Sequence, residues 1–282
     1  MTPELLLVGI LGLLIGSFLN VCIARWPAEQ SVVSPRSRCP KCGTLITWYD
    51  NIPVISWLAL RARCRRCALP IPVTYPMVEL ATGCVWLWAG WRYGISVEML
   101  RAAAFLTILL GIAMTDAREY IIPDEFSVGG TALGIAFSMP FIGGALPWRD
   151  ALLGAAAGYA LLFAIGYLGR KAFGREAMGG GDVKMMAMVG AFTGVWGVLL
   201  TLMIGAFVGI IVHVVTSPLR RTGPVTEPTS TSVETMSADE LSAHGYVPFG
   251  VSLAIAAAIV FAIGAETIIA WYLARMGIVA PV

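Results

Sequence analysis

An all-α, polytopic membrane fold is what this sequence predicts, on two observations. The first is composition: of 282 residues, 58% are hydrophobic and 13% charged, with a mean hydropathy of +0.80. Soluble domains carry about a quarter of their residues as charges. The second is spacing. Apolar runs long enough to span a bilayer, about 17–25 residues, fall near 5–24, 76–93, 98–115, 126–142, 150–169, 197–216 and 250–272. A shorter segment, 183–194, ends at Gly194-Val195-Trp196-Gly197 and is read as a helix that turns back, which makes about eight transmembrane helices. One long kinked helix over 183–216 is the alternative, and it would reverse the side of everything that follows.

In chain order, the first transmembrane helix is assigned to 1–24, because Met1-Thr2-Pro3-Glu4 lacks the basic flank of a cleaved signal. Residues 25–75 follow as a polar loop domain, and 76–216 hold the central helices. Residues 217–245, rich in Ser, Thr, Pro and Glu, have a flexible linker's composition, so Asp239, Glu240 and His244 are expected to be solvated. The last helix and tail occupy 246–282. With eight helices, 15 of the 19 Lys and Arg residues share one side, which the positive-inside rule makes cytoplasmic. The net charge of +2 is thus sorted by the membrane, and no nucleic-acid partner is expected.

Cys39-Pro40-Lys41-Cys42 and Cys64-Arg65-Arg66-Cys67 are two C-x-x-C pairs separated by 21 residues. Each pair can offer two thiolates to one metal, and together they complete a tetrahedral zinc site. Gly43 suits the tight turn of such a knuckle. Disulfides are the competing reading, but a cytoplasmic loop is reducing. Four sulfurs leave no open coordination position, so the zinc is structural. Cys22 and Cys84, inside apolar runs, are expected to be small packing residues.

Acids in apolar surroundings are costly and call for a task or a partner. Asp116 closes one run in Met114-Thr115-Asp116, and Asp182 opens another behind Gly179-Gly180-Gly181. Both ends fall at the cytoplasmic boundary, so the two acids can meet across a bundle. Paired carboxyls share a proton; one then activates water while the other polarises a carbonyl. The plainer alternative makes the glycines a hinge and Asp182 a helix cap. Asp124 reads as the cap of the helix it precedes. Glu79 and Glu266 read as buried hydrogen-bonding partners and His213 as structural, while Lys184 is expected to reach lipid phosphate. Neither a serine-nucleophile motif nor H-E-x-x-H is present.

Taken together these residues resemble the type 4 prepilin peptidases, over nearly the whole chain. The resemblance rests on Gly16-Ser17-Phe18-Leu19-Asn20-Val21, the four cysteines, and Asn51-Ile52-Pro53 with Ser56-Trp57-Leu58 between them. Tyr75-Pro76, Val78-Glu79-Leu80 and the D-x5-[IL]-P-D stretch from Asp116 to Asp124 continue it, followed by GxGD at 179–182 and Pro248-Phe249-Gly250. Departures are the long 217–245 segment and Val251, where the family usually has Pro; neither is expected to touch the acids. The resemblance implies an aspartic endopeptidase of the inner (cytoplasmic) membrane, contacting membrane lipid. Its catalytic acids would be Asp116 and Asp182, with Gly179, Gly181, Lys184 and Asp124 supporting the catalytic loop. Cys39, Cys42, Cys64 and Cys67 would hold zinc. The implied substrate is a prepilin or pseudopilin, cleaved after a Gly at the cytoplasmic face. N-methylation of the new N-terminus with S-adenosylmethionine is implied by resemblance alone. A transporter using intramembrane carboxylates and a zinc-stapled scaffold are the competing classes.

Overall fold

The structure, a computed structural model, describes residues 2–174, 178–216 and 248–276. The expected 217–245 linker, with Asp239, Glu240 and His244, lies outside the described residues, as does the side chain of His213. The chain forms two compact units, residues 1–111 and 112–282.

Unit 1 is built on two antiparallel helices, α1 (Pro3–Arg25) and α3 (Thr74–Tyr93). Thr2 caps α1 by accepting from the Leu5 amide; Pro3 opens the helix, Glu4 sits in its first turn and Arg25 in its last. Each choice suits the helix dipole or its orphan amides. Glycines set the α1–α3 spacing. A Cβ on Gly16 would stand 2.7 Å from the Glu79 backbone, and one on Gly12 would stand 2.6 Å from Trp86 Cβ. Close backbone approach through small residues is how helices associate where lipid removes the hydrophobic drive. Between α1 and α3 lie the short α2 (Ile55–Ala59), two 3₁₀ turns (Trp26–Ala28 and Trp48–Asn51) and the cysteine lobe. The chain then enters α4 (Val97–Glu119), which runs on into unit 2.

Unit 2 adds α5 (Asp124–Phe137), α6 (Trp148–Phe173), α7 (Gly180–Thr216), α8 (Phe249–Ile263) and α9 (Ala265–Arg275). Gly194 interrupts α7 at φ 70°, ψ −176°, a conformation open essentially to glycine alone. Contacts show that the chain reverses there. Gly181 packs on Ile122, Ile122 reaches Gly250, and the neighbouring Phe249 lies against Gly209. A straight helix would separate Gly181 from Gly209 by about 42 Å. The first limb of α7 packs on α6 backbone to backbone at Gly154 and Gly190, and the second packs on α8 through Gly205 and Leu253. The turn-back expected at 194–197 is therefore present.

All eight apolar segments are helical at the expected places, and no strand forms among the described residues. Among the described residues, length and apolarity alone qualify four helices to cross a membrane, or five if the bent α8–α9 pair is one span. The run near 126–142 yields a helix of only 14 residues, since it ends at Phe137. The run near 250–272 is broken at Gly264 by an 80° bend. That break corrects one reading: Glu266, expected to be buried, is exposed in the first turn of α9. Cys84 also departs from expectation. It is exposed, on the outward stripe of α3 with Met77, Leu80 and Trp91, whereas Cys22 is buried as expected.

Candidate active site and metal centre

In unit 2 the acids sit on three helix ends. Asp116 lies one turn from the end of α4 and is only 6% exposed. Its Oδ2 accepts the Val251 N–H at 2.9 Å, and the Gly250 amide bonds the same carboxyl. Both amides belong to the first turn of α8, where helical N–H groups have no partner of their own. The N-terminus of α8 thus serves as the anchor for a buried carboxyl. Gly250 must be glycine for this approach, because a Cβ there would meet Asp116 Oδ2 at 2.8 Å and Ile122 Cδ1 at 2.9 Å.

Asp182 is the third residue of α7 and half-buried, close enough to Asp116 for the charge of one to act on the other. The glycines ahead of it clear its surroundings. A Cβ on Gly179 would stand 3.3 Å from Asp182 Oδ2, and one on Gly181 would stand 3.0 Å from Ile122 Cβ. Ile122 is therefore the shared spacer between the Asp116 anchor and the head of α7.

Two readings of the neighbours are corrected. Pro123, not Asp124, occupies the cap position of α5, and Asp124 makes no capping bond. Its carboxylate instead receives Lys184 Nζ at 2.7 and 2.8 Å. Lys184, expected to reach lipid phosphate, is held in that ion pair. A third reading is corrected as well: Val251, expected not to touch the acids, donates its N–H to Asp116, while Gly250 and Ile122 stood in the sequence only as motif members and not as site residues. Their signals were present, as Pro-Phe-Gly opening a helix and as the Ile of Ile-Pro-Asp.

Unit 1 carries the cysteine cluster. Two knuckles repeat one geometry: the amides of Cys39 and Cys64 bond to the carbonyls of Thr44 and Leu69, and those of Gly43 and Ala68 return to Cys39 and Cys64. The fifth residue of each turn is left-handed, Gly43 at φ 68° and Ala68 at φ 55°. The four sulfurs lie within 4.8 Å of one another, with Cys39 and Cys67 at 3.6 Å. Tetrahedral zinc with bonds near 2.3 Å would set sulfurs about 3.8 Å apart, so the cluster fits that ion. Thiol chemistry agrees. The Thr44 hydroxyl holds Cys42 down to about 6, and the Cys67 and Arg66 amides lower Cys64. Although the Leu69 amide favours its thiolate, Cys67 is pushed up to about 11 by burial and the neighbouring sulfurs. Binding a cation would take the protons from the thiols still carrying them and offset the charge of four sulfurs.

Glu79 is buried, as expected of a structural partner; its Oε2 accepts the Val54 amide at 2.7 Å, and it bonds the Ser17 hydroxyl. It also walls a cavity of about 380 Å³ that reaches Tyr49, Trp57, Cys39 and Cys64.

A helical membrane protein with two acids brought to one helix-end cluster, and a four-cysteine lobe ahead of them, has the layout of an intramembrane carboxylate enzyme. The family follows from comparison with known proteins. Residues 10–93 match the family model for the bacterial peptidase A24 N-terminal domain, and residues 103–214 match that of the type IV leader peptidase family. A prepilin leader peptidase/N-methyltransferase of Myxococcus xanthus is 46% identical over 78% of this chain and 65% of its own length. Proteins of the same name from Pseudomonas putida and Neisseria gonorrhoeae are 36% and 31% identical, over 73% and 74% of this chain and 78% and 81% of theirs. No solved structure matches. The chain belongs to the type IV leader peptidase family.

Proposed function

We propose that this protein is an aspartic endopeptidase that removes the leader of a prepilin or pseudopilin, with Asp116 and Asp182 as its catalytic pair. The observation that carries the reading is the buried Asp116 carboxyl at the end of α4, with Ile122 packed between its Gly250 anchor and Gly181, the residue just ahead of Asp182. One carboxylate takes a proton from water, whose oxygen adds to the scissile carbonyl carbon. The other, protonated, hydrogen-bonds the carbonyl oxygen. Collapse of the tetrahedral adduct breaks the C–N bond, and the departing amine takes up a proton from the pair. Cleavage follows a Gly at the cytoplasmic face of the inner membrane; the excess of Lys and Arg on the acids' side supports that placement.

Cys39, Cys42, Cys64 and Cys67 hold structural zinc, and the cavity that Cys39 and Cys64 help to wall accepts S-adenosylmethionine for N-methylation of the new N-terminus. In support, its volume of about 380 Å³ lies within the roughly 300–1,000 Å³ of small-molecule sites. Tyr49 and Trp57 line it, giving a base aromatic surfaces, and Glu79 offers a carboxylate to a cationic group. S-adenosylmethionine would supply the methyl group.

Co-expression with a tagged prepilin, followed by intact-mass measurement, tests both activities in one spectrum. Wild type should give the shortened chain with the added mass of one methyl group, and Asp116→Asn or Asp182→Asn should leave the leader in place. Full processing by either variant removes that residue from the pair. A cleaved but unmethylated product removes the second activity alone.

A further inference from the structure

We propose that the lobe of unit 1 does not stand clear of the membrane, and that the outer face of α2, Ile55 and Leu58 with Trp48 beside it, is immersed in the headgroup–acyl boundary of the bilayer. The first observation is depth. The Val54 amide is bonded to Glu79, whose backbone packs on Gly16 of α1. Gly16 lies nine residues ahead of Arg25, the last residue of α1, so Val54 sits about 13 Å inboard of that charged end. Asn20, one turn nearer that end, donates to the Tyr75 carbonyl at 3.0 Å and holds α1 and α3 in register there. The segment from Val54 therefore starts beside the first turns of α3, whose outward side chains there are Met77 and Leu80, and leads toward the start of that helix, where Trp57 Nε1 donates to the Ile71 carbonyl at 3.1 Å.

The second observation is composition of the free face. Ile55 is 64% exposed, Leu58 62% and Trp48 76%, and none of them lines the cavity. Ile55 and Leu58 stand three residues apart, on one side of α2. From Trp48 to Leu60 the only charged residue is Asp50, and the Arg65 guanidinium covers it with bonds of 2.6–3.1 Å. Trp and apolar side chains beside a span are the makeup of an interfacial anchor.

The third observation concerns the backbone. In lipid each N–H needs a partner within the protein. Ile52 N–H donates to Ser56 Oγ at 2.9 Å, Val54 to Glu79, Ser56 to the Ile52 carbonyl and Leu58 to the Val54 carbonyl. The Ser56 hydroxyl closes the set on the Tyr49 carbonyl at 2.8 Å. Val54 holds φ 61° to make this turn, a costly conformation for a β-branched residue. These amides are thus already paired within the protein where the segment meets the boundary.

The test uses the full chain in phosphatidylcholine vesicles, with Cys22→Ala and Cys84→Ala and the four lobe cysteines retained. Ile55→Cys and Leu58→Cys, each made separately, carry a bimane probe; Val33→Cys, 85% exposed and beyond Arg25, is the reference. Doxyl-labelled lipid should quench the probes at 55 and 58 at least threefold more than the probe at 33, and aqueous iodide should show the reverse order. Either position suffices if the other variant fails to fold. Equal iodide quenching at all three positions would overturn the proposal. So would protection from both quenchers that vanishes as protein is diluted in lipid, since a second copy would then cover the face.

Discussion

Lys184 Nζ lies 2.7 and 2.8 Å from the two carboxylate oxygens of Asp124, joining the head of α7 to the head of α5 across 60 residues of sequence. The pair sets where Asp182, two residues ahead of Lys184, stands relative to the 116–124 stretch. It is partly exposed on both sides, and such pairs contribute about 0–1 kcal/mol. Asp124→Asn and Lys184→Ala should therefore slow prepilin cleavage by about fivefold or less. The exchanged pair, Asp124→Lys with Lys184→Asp, should recover part of that loss. Single-turnover cleavage by purified protein measures it. Inactivity of Asp124→Asn alone, with Asp116→Asn active, would move the catalytic role to Asp124.

Gly250→Ala places a methyl group 2.8 Å from Asp116 Oδ2 and 2.9 Å from Ile122 Cδ1. Ile122→Val relieves the second contact and leaves the first. Cleavage by Gly250→Ala should fall at least tenfold, and Ile122→Val should not restore it. Unchanged protein accumulation would show that the loss is local. A wild-type rate in Gly250→Ala would mean that Asp116 is not held by the start of α8.

At Gly194 the backbone has φ 70° and ψ −176°. A side chain there costs about 1–3 kcal/mol, and the two limbs of α7 depend on the turn. Gly194→Ala should lower the thermal midpoint in detergent and reduce accumulation in membranes. A neutral Gly194→Ala would show that the limbs hold the reversal unaided.

Purified protein should contain about one zinc per chain; less than a tenth of that in folded protein would overturn the assignment. Gly43 and Ala68 occupy equivalent left-handed positions, and L-residues are disfavoured there by about 1–2 kcal/mol. Gly43→Ala should release zinc at lower chelator concentration than wild type, and Ala68→Gly at higher. Cys39→Ser with Cys42→Ser should impair methylation more than cleavage.

Much of this was legible in the chain. The helix positions, the cysteine tetrad and the two acids all announce themselves, because the bilayer allows few ways to satisfy a backbone and makes each isolated charge costly. Gly43 was also readable, since a knuckle turn demands a left-handed residue; Ala68 was not, because alanine gives no sign of that conformation. The errors share one cause. Asp124, Lys184, Glu266 and Cys84 were judged from their nearest neighbours along the chain, whereas each one's environment is set elsewhere. Lys184 finds Asp124 only because α5 and α7 start side by side, and Glu266 is exposed only because Gly264 breaks the final run.

Sequence by itself determined which segments are apolar enough to leave water and which side chains cannot follow without a partner. Only tertiary structure decided that the start of α8 donates its spare amides to Asp116, with Ile122 spacing that anchor from Gly181. A helix start carries unpaired N–H groups whatever its sequence, so the residue that will accept them is chosen by packing, not by pattern.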